Sequence, residues 1–372
     1  MSYDKKKLAD LCLIVNRGIS PSYTEDRGIL IFNQRCIRDG RVTIGEARHT
    51  DPNKKHIPED RYLINLDILV NSTGVGTLGR VSQIYGLKEK ATIDSHVTLV
   101  RADAKKIDPT FLGYAIKYKQ SDIENLAEGS TGQTELSRDR LREISIPFPT
   151  LPEQHAIADV LSALDDKIEL NRRMNQTLEQ LAQVIFKHMF INNPERKNWE
   201  VKKLDAICSF EYGKALKASN RNSGKNPVYG SNGCVGYHDE FLVKAPGIVI
   251  GRKGNPGIIT FVHQNFFPID TTFYVVPKEK ISLYWLYYAL GSLNLPNLGT
   301  DSAVPGLNRN IAYLSALSLP SQKLLVEFES IVKPIFIKMH SNTEESRTLA
   351  ELRDTLLPKL MSEQVRVIES LK

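Results

Sequence analysis

No run of about 18 apolar residues occurs in the 372-residue chain, so nothing in it reads as a membrane-spanning helix. Met1 to Asp10 is charged and lacks the apolar core of a secretory signal, which makes the cytoplasm the expected location. Cysteine is scarce. Cys12, Cys36, Cys208 and Cys234 form no Cys-x-x-Cys pair, and none has a histidine at zinc-finger spacing. Four buried free thiols, a reducing compartment and no metal site are expected. Gly-x4-Gly-Lys-Ser/Thr is missing, which removes the usual ATP loop. Asn/Asp-Pro-Pro-Tyr/Phe, the aminomethyltransferase signature, is missing too, and the eight histidines are scattered. No catalytic residue is assigned, and no cofactor is expected in this chain.

What is present is a modest excess of positive charge, +6 overall, distributed unevenly. Residues 1–150 carry +3, 151–195 carry −3, 196–320 carry +6, and 321–372 are neutral. A polyanion would bind the first and third segments, leaving the second and fourth for another task.

The chain also repeats itself. Lys6-Lys7-Leu8-Ala9-Asp10-Leu11-Cys12 aligns with Lys202-Lys203-Leu204-Asp205-Ala206-Ile207-Cys208. Asp67-Ile68-Leu69-Val70 and Gly247-Ile248-Val249-Ile250 each lead into a Gly-rich turn, the first ending at Arg80, the second running from Gly251 to Gly257. Leu136-Ser137-Arg138 aligns with Leu307-Asn308-Arg309, and Ile144-Ser145-Ile146-Pro147 with Leu317-Ser318-Leu319-Pro320. Short β-branched or aromatic runs at 68–70, 97–100, 248–250 and 273–276 read as strands. Residues 112–119 and 283–290 read as short helices, with Tyr114, Trp285, Tyr287 and Tyr288 more at home in a core than as base-stacking platforms.

From Glu153 to Phe190 there is neither proline nor glycine. Ile157, Val160, Leu161, Leu164, Ile168, Met174, Leu178, Leu181, Ile185 and Met189 recur at three- and four-residue steps, a coiled-coil-like seam. Such a helix spans about 57 Å. A second rod is expected from about 322 to 365, kinked near Pro334 and interrupted by Pro358. Neither helix can bury its stripe alone, so the two are expected to pack antiparallel. Two coiled-coil hairpins with separate partners remain the alternative. The fold expected is α+β: two mixed α/β recognition domains (1–150 and 196–320) separated by two long antiparallel helices (151–195 and 321–372), with pseudo-twofold repetition.

This order resembles the specificity (S) subunit of type I restriction–modification systems. Three segments carry the resemblance: Gly129-Ser130-Thr131-Gly132-Gln133 with Leu136, Leu141 and Ile144-Ser145-Ile146-Pro147; Leu151-Pro152-Glu153-Gln154-His155-Ala156-Ile157-Ala158; and Leu164-Asp165-Asp166-Lys167-Ile168-Glu169-Leu170-Asn171-Arg172-Arg173-Met174-Asn175. The second half departs from the pattern, with Ser321-Gln322 in place of Glu-Gln and no clean Gly-Ser-Thr-Gly between Thr300 and Gly306. The resemblance implies that each globular domain reads half of a split target in double-stranded DNA. It implies that the helices set the gap and carry two methyltransferase (M) subunits, and that restriction (R) subunits add cleavage. S-adenosylmethionine, ATP and Mg would then belong to those partners. On the helices Ile157, Leu161, Asn171, Arg172 and Leu352 are expected to meet the M subunits. A coiled-coil adaptor and a self-sufficient DNA enzyme are the competing classes.

Gly74-Val75-Gly76-Thr77-Leu78-Gly79 fits a dinucleotide-binding fingerprint, but a strand follows it where the phosphate cradle needs a helix N-terminus. A hairpin near DNA or a plain turn fits better. Arg80, Arg252 and Lys253 lie in the two hairpins and are candidates for phosphate contact. Thr131, Gln133, Asn308 and Arg309 precede the return to each helix, where they would touch bases or serve packing and capping.

Overall fold

The computed structural model describes residues 3–38, 40–128, 134–278, 280–298 and 306–367. The chain divides into two compact units, Met1–Ile168 with Arg347–Lys372, and Glu169–Ser346.

The first unit is built on an antiparallel sheet of β1 (Cys12–Arg17), β2 (Ile68–Asn71), β3 (Val81–Gln83) and β4 (Val97–Ala102). Their spatial order is β1-β4-β2-β3. One face holds Val15, Ile68, Val70, Val81 and Val100 against α1 (Pro109–Tyr118), whose Phe111, Leu112 and Ala115 are fully buried. The other face places Leu69, Val97 and Leu99 against a second sheet of residues 91–93, 29–32, 48–50 and 23–24. Strands buried on both faces must be apolar throughout, which is why Ile68-Leu69-Val70 does not alternate. Residues 5–7 pair with 145–147, tying the start of the chain to the segment that follows α2 (Arg138–Arg142).

A long helix, α3 (Leu151–Phe186), comes next. Its first turn explains the Leu-Pro-Glu-Gln motif. Glu153 accepts hydrogen bonds from the Thr150 backbone N–H and hydroxyl at 3.0 and 2.8 Å. Pro152 has no N–H to leave unsatisfied there. Gln154 is wholly buried, donating to the Pro149 carbonyl and accepting from the Asp108 N–H, both at 2.9 Å. Asp108 in turn caps α1 through the Phe111 N–H. The motif is thus a joint between the long helix and the sheet-bearing part of its unit.

The second unit repeats the plan with β5 (Cys208–Tyr212), β6 (Gly247–Gly251), β7 (Ile259–Val262) and β8 (Thr272–Pro277). All neighbours are antiparallel, and the order β5-β8-β6-β7 is that of the first sheet. The helix α4 (Leu283–Gly291) packs as α1 does, burying Trp285, Leu286 and Tyr288. Tyr114 in the first unit is buried as well, so these aromatics are core. After α5 (Arg309–Ala312) comes α6 (Gln322–Met361), capped by the Ser321 hydroxyl, which takes the place of a glutamate cap. The helix continues through Pro334 and Pro358 and ends at Met361, four residues short of the expected 365.

In each unit, segments of α3 and α6 pack antiparallel. In the second, Asn171 donates to Ser346 while Asn175 donates to Met339 and Thr343, so numbers rise on one helix as they fall on the other. In the first, Asp165 holds Arg353 and also accepts from the Tyr114 hydroxyl at 2.8 Å. The seam differs from the sequence expectation toward its end: Ala182, Phe186 and Phe190 are buried and Leu181 is exposed. The thiols differ too. Cys36 and Cys208 are buried and Cys12 partly so, but Cys234 lies exposed on a hairpin. No helix among the described residues is long and apolar enough to cross a membrane.

Candidate nucleic-acid interface

The register of the sheets decides where the hairpins sit. In the first unit Thr98 lies opposite Arg17 and Val97 opposite Asn71. The end of β1, the start of β4 and the β2–β3 hairpin therefore share one end of the sheet. The Leu136 N–H reaches the same place, donating to the Ser72 carbonyl at 2.8 Å, while the Ser72 N–H donates to His96 at 2.9 Å. The second unit reproduces these bonds: Leu307 N–H to the Arg252 carbonyl and Arg252 N–H to the Thr271 carbonyl, each at 2.9 Å. Gly79 closes the first hairpin onto Asn71, and Gly257 closes the second onto Gly251. Both carry positive φ, +84° and +79°, which only glycine adopts without strain.

Arg252 stands where the first unit has Ser72, and Arg80 matches Ile258. The Arg80 guanidinium donates to the Gly76 carbonyl at 2.9 Å and so braces its own loop. Asn308 is a cap: its side-chain oxygen accepts from the Asn310 and Ile311 N–H groups at 2.9 and 3.4 Å, which occupies the group that would otherwise read a base. Lys253 is exposed and bridges Gly306 through its backbone. Thr131 and Gln133 lie outside the described residues.

Arg252 and Arg309 converge. Their guanidinium carbons lie 5.1 and 5.0 Å from the centre of the Tyr212 ring. Arg309 also donates to the Phe210 carbonyl at 3.2 Å. In the first unit the matching end carries Arg17, which pairs with Glu135 and donates to the Leu136 carbonyl at 2.7 Å. His96 and Thr73 share a hydrogen bond of 2.9 Å beside it. Arg17, His96 and Tyr212 escape sequence reading. The available signal is a glycine directly after the strand in both copies. A Cβ on Gly18 would lie 2.1 Å from the Ile93 carbonyl oxygen, and one on Gly213 would lie 2.2 Å from that of Ile269.

The helical candidates divide. Ile157 and Leu161 are at most 1% exposed and fill the chain's own core, and Asn171 is fully buried and bonded to Glu345 and Ser346. Their side chains leave no surface for another subunit, because they close the α3–α6 contact instead. Arg172 is exposed and pairs with Glu169, and Leu352 is exposed. Leu170, Val184 and Ile337 are further exposed apolar residues on these helices. Among the described residues no three His, Cys, Asp or Glu side chains are grouped to hold a metal ion.

The family described as "Type I restriction modification DNA specificity domain" matches residues 2–180 and 196–310, one match per copy of the repeat. The chain belongs to this family. It is 27% identical over 308 residues to the type I restriction enzyme MjaIX specificity subunit of Methanocaldococcus jannaschii, covering 70% of this chain and 69% of that one. It is 21% identical to the HindI specificity subunit of Haemophilus influenzae, covering 80% and 86%. The crystal structure of the S subunit of a type I system from M. genitalium superposes with a TM-score of 0.63 over 96% of each chain at 23% identity, which shows a shared fold.

Proposed function

We propose that this specificity subunit directs adenine methylation to a split DNA target and performs no chemistry itself. Each unit reads one half-site with the hairpin end of its central sheet. The single observation that carries this is the recurrence of one backbone framework with different side chains on it: Leu136 bonded to Ser72 in one copy, Leu307 bonded to Arg252 in the other. A fixed frame with variable loops is what two readers of unlike half-sites require. Two methyltransferase subunits would dock on the long helices, using exposed groups such as Leu170, Arg172, Val184, Ile337 and Leu352. S-adenosylmethionine would be held by those subunits, and ATP and Mg by restriction subunits that add cleavage. The cytoplasm, where chromosomal DNA is met, is the site of action.

Methylome sequencing of a methylation-free host tests this. The chain together with its methyltransferase subunit is expected to produce one bipartite motif with methyladenine in both halves. Methylation by the purified chain alone, or none from a folded complex, would overturn the reading.

A further inference from the structure

Tyr212, Arg252 and Arg309 form a cluster whose charge is not answered by an ion pair among the described residues. We infer that this cluster is a backbone anchor for one DNA phosphodiester, and that the first unit has no equivalent. The inference rests on the DNA-reading role proposed above and assigns its salt-sensitive part to the second unit.

Three observations carry it. First, the two guanidiniums sit on one aromatic ring, at 5.1 and 5.0 Å, and Arg252 also lies 5.9 Å from Phe273. Ring faces are negative, so they hold cations in place without cancelling their charge. Second, the Nε of Arg252 and the Nε of Arg309 are both shut off from solvent without a hydrogen-bond partner. Among the described residues Arg309 makes a hydrogen bond to the Phe210 carbonyl and ring contacts, and neither arginine has an ion pair. The two side chains are half-buried, so it is their outer guanidinium nitrogens that can meet an anion. Third, Tyr212 is 48% exposed and Lys253, next to Arg252 in the chain, is exposed, so a ligand can reach the cluster. Among the described residues, Glu211, next to Tyr212 in the chain, and Asp270 pair with neither arginine.

The first unit is built differently at the matching positions. Arg17, in the place of Tyr212, pairs with Glu135. Arg138, in the place of Arg309, donates to Asn16 and Asp139, each at 3.2 Å. Ser72 stands where Arg252 would be, and its hydroxyl is bonded to Thr98. At these matching positions the positive charge is already compensated, Arg17 by Glu135 and Arg138 by Asp139. A phosphodiester brought there would displace an internal carboxylate, whereas at Tyr212 it fills an empty position.

A phosphate is favoured over a guanine because both guanidiniums are pinned by rings, and two adjacent uncompensated cations match a full negative charge better than a neutral base edge.

The experiment uses the complex of this chain with its methyltransferase subunit. Affinity for target and for unrelated duplex is measured across a series of KCl concentrations. The double variant R252Q/R309Q is expected to weaken binding to both duplexes and to lower the slope of log affinity against log salt by about 1, the value for one lost phosphate contact. Its methylated motif is expected to be unchanged. R252K/R309K keeps the charge and should keep the slope, which separates charge loss from misfolding. R17Q/R138Q should leave the slope as in the parent. An unchanged slope in R252Q/R309Q overturns the inference, as does a relaxed base position in the motif, which would make the cluster a base reader. If the parent complex yields no motif, the proposed function fails, while the slope on unrelated duplex still decides this point.

Discussion

Asn171 and Asn342 stand 171 residues apart, hold equivalent places on α3 and α6, and are both fully buried against each other. The Asn171 side-chain N–H2 donates to the Ser346 hydroxyl at 3.3 Å, and that of Asn342 donates to the side-chain Oδ1 of Asn175 at 2.9 Å. Ser346 and Asn175 are likewise equivalent, so the exchange is reciprocal. Each asparagine nevertheless leaves its own Oδ1 buried without a partner.

That imbalance predicts a gain from apolar replacement. A buried unsatisfied acceptor costs about 1–3 kcal/mol. The double variant N171L/N342L, which removes both at once, should unfold at a higher temperature than the parent. N171L alone, which removes only one of the two unsatisfied acceptors, should fall between the parent and the double variant. Calorimetry on the three proteins checks the order.

Gly18 and Gly213 predict a matched pair of defects. Each is pressed against a backbone carbonyl that cannot move aside without disturbing its strand. Alanine at either position should cost at least about 1–3 kcal/mol, as overpacking does. Denaturant titration of G18A and G213A measures this. An unaltered midpoint for either would show that the approach is looser than the backbone geometry implies.

Gln154 predicts a larger loss than its polarity suggests. Gln154→Leu would preserve size but strand the part-buried Asp108 N–H and the buried Pro149 carbonyl at the joint with α3. A loss of roughly 2–4 kcal/mol follows from two such groups. The readout is the unfolding midpoint, with Glu153→Gln as the comparison, since an exposed cap is worth only about 1 kcal/mol.

His263 and His340 stack at 4.9 Å with their planes 10° apart. Burial, with His340 adding to it, pushes His263 down to about 4. The unfolded chain, with an ordinary histidine near 6.5, therefore binds more protons between those limits. Stability rises with pH across that window and is lost as pH falls through it. His263→Phe should flatten this dependence, measured as the change in melting temperature between pH 7 and pH 5.

The large architecture is legible because it is written in period and repetition. The seam from Ile157 to Met189 and the paired Lys-Lys-Leu starts point directly to helices and copies. The site is less legible because hydrogen-bond register, and not spacing, decides which residues meet. Arg80 and Arg252 both sit in Gly-rich hairpins, yet the hydrogen-bond register gives Ser72, not Arg80, the place in the first unit that Arg252 holds in the second. Arg17 and Tyr212 share no chemistry, so alignment by residue type passes over them. Ile157, Leu161 and Asn171 lie on a stripe that sequence alone cannot divide between an internal contact and a foreign one. Burial makes that division.

The six residues of β1 separate two kinds of constraint. At Cys12 the strand joins the end of the sheet that seats α3 through Asp108 and Gln154. At Arg17, about 17 Å away at the rise of a strand, it reaches the hairpin end. Substitutions accumulating around Ser72 or Arg252 thus leave the helix seat untouched, and a lineage can exchange one target for another without renegotiating how its subunits assemble.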